Sequence, residues 1–343
     1  YWNEGRAVDA ATALDEGAGS VVSVSPSDLN ASRNGKLVHV MGDLTVAAPA
    51  RDAALGVTDS GLLRLRRVAE MYQWKEYSRS ETTTELGGSE KTRTVYEYRR
   101  IWTERAIPSD GFRSPNGHMN PAMPITSATF TASGIRLGDF GVAPGLINQL
   151  GDFQPLTVDP AGPAAKGFRP ADNGFYRGYD PAQPRVGDLR LRFEAVPVQA
   201  VTVVAGQVNG TLMPFAASNG YEIALIAPGA RPAAALFKEA HEGEAMLTWI
   251  LRVCGFVGVL ICLMLLFQPL AVLVSVLPFL ETLVGAGAFL ISFVLAIPIT
   301  AVTIAVAWFA HRPILAGILV VVALLGVFGL PRLVGKKPVA AKA

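Results

Sequence analysis

The sequence predicts an integral membrane protein with a mainly β (α+β) extramembrane domain, followed by an α-helical membrane region. Residues 247–330 are almost continuously apolar, and about 20 apolar residues in a helix cross a bilayer core. Residues 1–245 instead carry most of the charges and contain short valine-rich runs separated by turn residues, a pattern typical of strands. Half of all residues are hydrophobic and 17% are charged, but the two classes are segregated along the chain.

Residues 1–19 are expected to form a membrane-proximal helix. Apolar side chains recur there at helical spacing, and Gly17 and Gly19 are expected to end it. Because Tyr1 and Trp2 resemble the interfacial end of a membrane helix, we expect a further transmembrane helix before residue 1. A cleaved signal peptide is the alternative.

Residues 20–232 are expected to form the β-rich domain, either as one body or as two subdomains over residues 20–105 and 106–232. The clearest local motif is a hairpin with arms over residues 62–78 and 91–103. Symmetric pairing of these arms would place Trp74 near Tyr96 and Tyr72 near Tyr98. Cross-strand aromatic pairs stabilise sheets, so these four residues are candidate interaction or packing residues. Packing is favoured over a stacking site for bases or sugars.

The second half of the domain is rich in proline and glycine, which predicts a loop-rich β region. A strand is expected over residues 188–196. Arg190 and Arg192 alternate there with apolar side chains and would form a basic outer face. Asn209 and Gly210 between two β-like runs predict a two-residue hairpin turn.

A connecting helix is expected over residues 233–246, followed by the membrane region over 247–330. Three crossings are expected, over 247–267, 282–309 and 314–330. The segment 268–281 contains two prolines and too few apolar residues to span, so a short interfacial or re-entrant helix is expected there. Arg252 is expected to snorkel to the interface rather than to form an intramembrane charge site. The predicted membrane-interface residues are Trp2, Trp249, Arg252, Trp308 and Arg312.

The tail over residues 331–343 carries four basic side chains and is expected to be cytoplasmic. Three crossings would place the β domain on the opposite side of the membrane, although Arg312 opposes this assignment. Alanine is abundant and arginine far outnumbers lysine, which is typical of a GC-rich bacterial source. The expected location is therefore a bacterial inner membrane with a periplasmic domain, or a eukaryotic membrane with a lumenal domain.

The sequence contains no recognisable catalytic motif. Its four histidines are scattered, and it has neither a phosphate-binding loop nor a dinucleotide fingerprint. Cys254 and Cys262 would lie about 12 Å apart on one helix, too far for a disulfide. A net charge of +2 argues against a nucleic-acid partner. We therefore expect no enzymatic activity, no cofactor, no metal and no nucleic acid.

Three blocks, over residues 1–8, 35–40 and 65–74, resemble successive signatures of the LUMA family (transmembrane protein 43 family). The block Met71-Tyr72-Gln73-Trp74 is the most specific. The resemblance implies four transmembrane helices in full-length members, one before the large domain and three after it. It also implies self-association and, if the chain is eukaryotic, a location in the endoplasmic reticulum or inner nuclear membrane and a link to nuclear-envelope organisation through lamins and emerin. It supplies no catalytic residues.

The leading hypothesis is a non-enzymatic membrane scaffold that forms homo-oligomers through its β domain and organises the lipid bilayer. The alternative is a membrane-anchored binding or sensor module for a lipid, peptide or glycan, which would need a pocket lined by Phe175, Tyr176 and Tyr179. A weaker alternative is an oligomeric conduit, which would need a polar stripe along one crossing.

Overall fold

The structure, a computed structural model, describes residues 1–84, 90–171, 174–274, 278–312, 314 and 318. The chain divides into two compact units. Within the described residues, the helical unit contains residues 1–15, 239–274 and 278–312, and the β unit contains residues 16–84, 90–171 and 174–238.

Five α-helices, one 3-10 helix (Ala31–Arg33) and eighteen strands occur in the described part of the chain. The α-helices are α1 (Trp2–Ser20), α2 (Pro144–Ile147), α3 (Ala161–Ala164), α4 (Ala233–Val274) and α5 (Pro278–His311). The first nine strands are β1 (Val22–Val24), β2 (Leu37–Thr45), β3 (Arg51–Asp52), β4 (Val57–Thr58), β5 (Leu62–Thr84), β6 (Glu90–Thr103), β7 (Ala128–Thr131), β8 (Arg136–Leu137) and β9 (Phe140–Val142). The remaining strands are β10 (Gln154–Pro155), β11 (Arg169–Ala171), β12 (Gly174–Arg177), β13 (Leu189–Pro197), β14 (Ala200–Val208), β15 (Thr211–Met213), β16 (Phe215–Ala216), β17 (Glu222–Ile223) and β18 (Leu225–Pro228).

The first large sheet of the β unit closes on itself. Its order is β1-β2-β8-β9-β15-β14-β18, and β14 also pairs with β2. The two-residue turn at Asn209 and Gly210 joins β14 to β15, and both residues have positive φ (48° and 77°). This confirms the hairpin predicted there, because a type I′ turn needs positive φ at both positions. The buried side chains of Val38, Phe140 and Val203 belong to the core cluster associated with this sheet.

The second large sheet has the order β11-β12-β13-β5-β6, with β10 paired to β13 and β7 paired to β5. Leu189, Leu191 and Phe193 of β13 are buried, whereas Arg190 and Arg192 between them are exposed. This confirms the predicted strand with a basic outer face. The buried face packs in a second core cluster together with Leu65 and Met71 of β5.

The two sheets are interleaved along the chain. Strand β2 of the first sheet pairs with β14, and β5 of the second pairs with β13. A division into subdomains at residue 105 is therefore wrong, because each sheet draws strands from both sides of that position.

The structure corrects three helix and hairpin boundaries. Helix α1 continues past Gly17 to Ser20, and strand β5 extends to Thr84, through residues expected to form the hairpin tip. Helix α4 continues through Pro269 to Val274, and α5 begins at Pro278. The separate interfacial helix expected over 268–281 is therefore wrong for its described residues. Transmembrane helices tolerate proline because their surroundings can satisfy the freed backbone groups.

Two helices within the described residues are long and apolar enough to cross a membrane, with spans over Ala233–Pro269 and Gly287–His311. The third crossing predicted over 314–330 lies outside the described residues except for Ile314 and Ile318. The basic tail over 331–343 also lies outside them.

An ion pair is buried within the second core. Arg67 faces inward between Leu65 and Ala69, and its guanidinium donates to the carboxylate of Asp52, which is fully buried. Arg67 also donates through Nε to the carbonyl oxygen of Thr126 at 3.0 Å. The charges are matched, so removing one partner would leave the other buried and unpaired.

We predict that Asp52→Ala lowers the free energy of unfolding by about 3–5 kcal/mol. The double variant Asp52→Ala/Arg67→Met should recover much of this loss, because neither charge then remains buried. Urea unfolding of the full chain in detergent, followed by tryptophan fluorescence, measures both effects. Equal losses in the single and double variants would contradict this account.

Candidate functional site

The four aromatic residues predicted on the hairpin lie on β5 and β6, but their partners differ from the symmetric pairing. Tyr72 lies opposite Trp102 and Trp74 lies opposite Arg100. Tyr98 lies opposite Glu76 and Tyr96 lies opposite Ser78. The predicted pairs Trp74–Tyr96 and Tyr72–Tyr98 are therefore wrong. The observed register differs from the symmetric prediction because β5 extends six residues past its expected end, to Thr84, whereas β6 begins only one residue earlier than expected, at Glu90.

Tyr98 and Trp74 instead contact the loop that follows β6. The imidazole of His118 stacks on Tyr98, with ring centroids 3.8 Å apart, and meets Trp74 edge-on at 4.8 Å. The Tyr98 hydroxyl donates to Glu76 at 2.6 Å, and the same carboxylate accepts from the backbone N–H of Arg113. Burial, and then the hydrogen bond to Glu76, raise the pKa of Tyr98 above its usual value. These contacts fix the loop against the base of the hairpin.

Two side-chain amides bind backbone groups near the point where the pairing of β5 with β13 ends, and one of them, from Asn120, occupies the free edge of β5. Asn120 accepts from the backbone N–H of Trp74 at 2.7 Å and donates to the carbonyl of the same residue at 2.9 Å. Gln73, which is fully buried, donates to the carbonyl of Arg105 and accepts from the N–H of Ile107. Asn120 thus takes the place of a neighbouring strand at Trp74.

Beyond Trp74 the two strands project as a ribbon, which we define as residues 75–84 of β5 and 90–99 of β6. In the part of the chain that the structure describes, β6 pairs only with β5, and β5 pairs with β13 and β7 only up to Met71. Both outer edges of the ribbon are therefore unpaired. Tyr77, Val95 and Tyr96 are about two-fifths exposed (39%, 45% and 40%). Long unpaired edges with exposed apolar side chains are templates for strand addition.

The orientation of the ribbon's amides follows from its register. The N–H of Tyr72 donates to the carbonyl of Asp188, and the N–H of Trp74 donates to Asn120, so both point away from β6. Backbone groups alternate sides along a strand in an antiparallel pair. Ser78 and Ser80 of β5, and Thr92 and Thr94 of β6, therefore direct their N–H groups outward from the ribbon.

One of the predicted interface residues of the helical unit, Arg252, belongs to a network of charged side chains. Arg252 on α4 forms a bidentate ion pair with Glu4 on α1, at 2.8 and 2.7 Å. Glu4 is only 4% exposed. The sequence predicts that Arg252 extends to the interface, whereas the structure directs its guanidinium to this carboxylate. A buried charge in an apolar segment needs such a partner.

Three further contacts join the same helices. Arg6 forms an ion pair with Glu244 and donates to the hydroxyl of Thr248 at 3.2 Å. Asn3 donates to the backbone carbonyl of Thr248 at 3.1 Å. No local pattern predicts these pairings, because the partners lie more than 200 positions apart.

The aromatic interface residues are largely exposed. Trp2 and Trp249 are 71% and 64% exposed, and Trp308 is 37% exposed. The guanidinium of Arg252 lies 4.8 Å from the Trp249 ring, and that of Arg312 lies 5.0 Å from Trp308. Amphipathic rings beside cations are typical of the membrane–water interface.

A cavity of about 880 Å³ lies at the edge of β13 in the second sheet, and residues from both faces of the sheet line it. Phe175 and Tyr176 line it, as the binding-module hypothesis requires, but Tyr179 is 74% exposed and is not part of the lining. Trp102, Arg190 and Arg192 also line it. The sequence indicated the basic strand but not Trp102, whose position depends on the hairpin register.

The carboxylate of Asp188 holds the Tyr176 hydroxyl beside this cavity. The Tyr176 hydroxyl donates to its carboxylate at 2.5 Å, and the N–H of Arg185 donates to the same oxygen at 2.8 Å. Burial first, and then this hydrogen bond, raise the pKa of Tyr176 above its usual value. Tyr176 therefore lines the cavity as an uncharged side chain. Among the described residues, no cluster of three or more His, Cys, Asp or Glu side chains could hold a metal.

The architecture defines a class of protein: a membrane protein in which a mainly β domain precedes two apolar helices of membrane-spanning length. The family model for Transmembrane protein 43 matches residues 71–313. The chain is 33% identical to rat (Rattus norvegicus) Transmembrane protein 43 over 331 residues, which cover 93% of this chain and 82% of that protein. It is 33% identical to the Homo sapiens protein over 354 residues, covering 100% and 87%.

The Drosophila melanogaster homolog of Transmembrane protein 43 is 31% identical over 339 residues, covering 93% of this chain and 86% of that protein. No solved structure matches the chain significantly. The chain belongs to the Transmembrane protein 43 family. This confirms the resemblance at the level of the family. These relatives are animal proteins, and the comparisons give no support to the bacterial source predicted from composition.

We predict that Glu4→Gln destabilises the protein by about 3–5 kcal/mol at neutral pH, because Arg252 loses its counter-charge. Hydrogen bonds from Arg252 lower the pKa of Glu4 below 4.5 despite the opposing effect of burial. A lowered folded-state pKa gives stability that is present above pH 4.5 and is lost as pH falls through the folded pKa. Thermal unfolding of wild type and variant across this range measures the difference.

The control is Glu81→Gln, which removes an exposed ion pair with Arg79 and should have little effect. The account of this pair would be contradicted if Glu4→Gln showed the same acid-dependent loss of stability as wild type.

We predict that Asn120→Ala destabilises the β unit by about 1–3 kcal/mol, because the backbone groups of Trp74 lose their partner. The amide of Trp74 should also exchange with solvent faster. Asn148→Ala, at an exposed position whose carbonyl rather than side chain accepts from Arg64, is the matched control. Hydrogen–deuterium exchange measures both variants. Unchanged protection of Trp74 in Asn120→Ala would show that Asn120 does not terminate the sheet.

Proposed function

We propose that this protein is a non-enzymatic membrane scaffold whose copies associate through the ribbon and thereby organise the surrounding bilayer. The single observation that carries the proposal is the ribbon, which has unpaired outer edges among the described residues. An isolated two-stranded hairpin is at best marginally stable in water. Pairing with a second copy would supply partners for its outward N–H and C=O groups.

The side chains of the ribbon favour a second copy as the partner. Its exposed faces carry both signs of charge, including Lys75, Arg93, Glu81 and Glu97. Antiparallel pairing of identical edges can place opposite charges across the new contact, which stabilises cross-strand pairs. Such pairing is the strand-addition mode of recognition, in which backbone hydrogen bonds give affinity and side chains give specificity.

The membrane placement is part of the same proposal. Because the named relatives are animal proteins, we propose an endomembrane location, the endoplasmic reticulum or inner nuclear membrane, rather than a bacterial inner membrane. If residues 314–330 form the third crossing, the β unit lies on the side opposite to the basic tail.

A second candidate function is a membrane-anchored binding module. The cavity at the edge of β13 in the second sheet favours it, because its volume of about 880 Å³ lies within the range of ligand sites. The two functions are compatible, since the cavity is lined by residues outside the ribbon as we define it.

We predict that Ser80→Pro/Thr94→Pro weakens self-association by about tenfold or more. These two residues lie opposite each other, and their N–H groups point outward, so proline removes edge donors without removing a bond between β5 and β6. Native mass measurement and cross-linking in mild detergent report the oligomer.

The matched control is Ser80→Ala/Thr94→Ala. It removes the same hydroxyl–hydroxyl contact, at 3.0 Å, but keeps both backbone donors. The alanine variant should associate like wild type. A wild-type protein that stays monomeric at all concentrations, or a proline variant that associates normally, would contradict the proposal.

A further inference from the structure

The cavity at the edge of β13 in the second sheet arises from a break in strand pairing. Strand β13 pairs with β12 at residues 189–191 and with β10 at residues 194–195, along the same edge. Arg192 lies in the gap between these two neighbours. Gly174 makes the approach of β12 possible, because a Cβ there would lie 2.0 Å from the carbonyl oxygen of Leu191. The cavity therefore results from the strand pairing of the sheet itself.

The charged residues that line the cavity (Glu70, Arg190, Arg192 and Glu194) belong to a network with more cations than anions. Its third cation, Arg66, pairs with Glu194 but does not line the cavity. Glu70 accepts from Arg190 at 2.6 Å and from Arg192 at 3.2 Å. Glu194 accepts from Arg66 at 2.7 Å and from Arg192 at 3.4 Å. Three guanidinium groups therefore share two carboxylates, which leaves one positive charge unbalanced within this network.

Arg192 is the residue best placed to bind an additional anion. Its two ion-pair contacts, at 3.2 and 3.4 Å, are longer than the shortest contacts of Arg190 and Arg66 in the network. Its side chain is also 46% exposed, whereas that of Glu70 is 13% exposed. A guanidinium has five donors in a fixed fork that matches an oxyanion.

The walls of the cavity are apolar and aromatic. Trp102 lies at one side, with the Arg190 guanidinium 4.6 Å from its ring. The Tyr176 ring is held in place by the hydrogen bond to Asp188, and Leu156 and Val158 are half-buried along another side. Such walls fit hydrocarbon or ring carbons, not a second charged group.

From this combination we propose that the cavity binds an amphiphilic monoanion: a single oxyanion held by Arg192 and Arg190, with an apolar body against Trp102, Tyr176 and Leu156. A phosphodiester and a carboxylate share this chemistry, so a phospholipid and a fatty acid are the two sources. The monoanion follows from the charge balance, because one negative charge neutralises the network. This proposal does not depend on self-association.

The test uses the full chain in micelles of dodecyl maltoside, an uncharged detergent without a phosphodiester, and three soluble probes: dibutyl phosphate, hexanoate and the neutral hexanamide. Saturation-transfer NMR titrations give a Kd for each probe, with protein-free micelles as the blank. At least one anion should bind about tenfold or more tightly than hexanamide, because charge-assisted hydrogen bonds are the strong ones. Preference for dibutyl phosphate points to a phosphodiester source, and preference for hexanoate to a carboxylate source.

Two variants move the charge balance in opposite directions. Arg192→Gln brings the network to neutrality and should weaken anion binding by about tenfold or more. Glu194→Gln raises the excess to two positive charges and should strengthen binding. Arg99→Gln, an exposed arginine of the ribbon paired with Glu97, is the matched control and should not change binding. Urea unfolding midpoints verify that each variant is folded.

A merely structural role for the network predicts that both Arg192→Gln and Glu194→Gln weaken binding. That result would overturn the proposal, as would equal affinity for hexanoate and hexanamide or the absence of saturable binding by either anion.

Discussion

The backbone pairing of strand β5 is the constraint on which the β unit depends. Its first ten residues pair with β13 and β7 and supply inward side chains to the second core. Its last ten residues pair only with β6 among the described strands. Every backbone N–H and C=O group needs a partner or water. The two halves of β5 therefore differ in where the partners of their backbone groups come from. One half is satisfied within the fold, and the other half is available for association.

The transition between the halves occurs within a few residues. Asn120 satisfies the edge of β5 at Trp74, and beyond this point the edge is open among the described residues. Because side chains in a strand alternate between faces, the same register that opens the ribbon also places Glu70 and Trp102 on the outer face beside Arg190. The ribbon and the cavity are thus two consequences of one register.

In the helical unit, a charged side chain likewise needs a partner. A cation in an apolar helix is costly unless it is paired, and Arg252 is paired with Glu4. The pair belongs to a set of polar contacts that join α1 to α4, with Arg6 and Thr248 among its members. These contacts fix the two helices of that unit together with directional bonds, which apolar packing alone would not provide.

Local sequence signals predicted the local features. The turn at Asn209 and Gly210 was predictable because type I′ geometry demands residues that tolerate positive φ, and the alternation around Arg190 showed which face of β13 is buried. The hairpin register was not predictable, because threonines over 82–84 continue a strand as readily as they form a tip. The pairs Arg67–Asp52 and Arg252–Glu4 were also missed, since their partners meet only through tertiary structure.

The most direct test of the account is residue-resolved hydrogen–deuterium exchange of the ribbon in lipid-embedded protein, at high and low protein density. Inward amides of Arg79 and Val95 should be protected at both densities, because they bond across the hairpin. Outward amides of Ser78 and Thr92 should be protected only at high density, where copies can pair. Rapid exchange of these outward amides at every density would contradict the claim that the ribbon edges join copies of the protein.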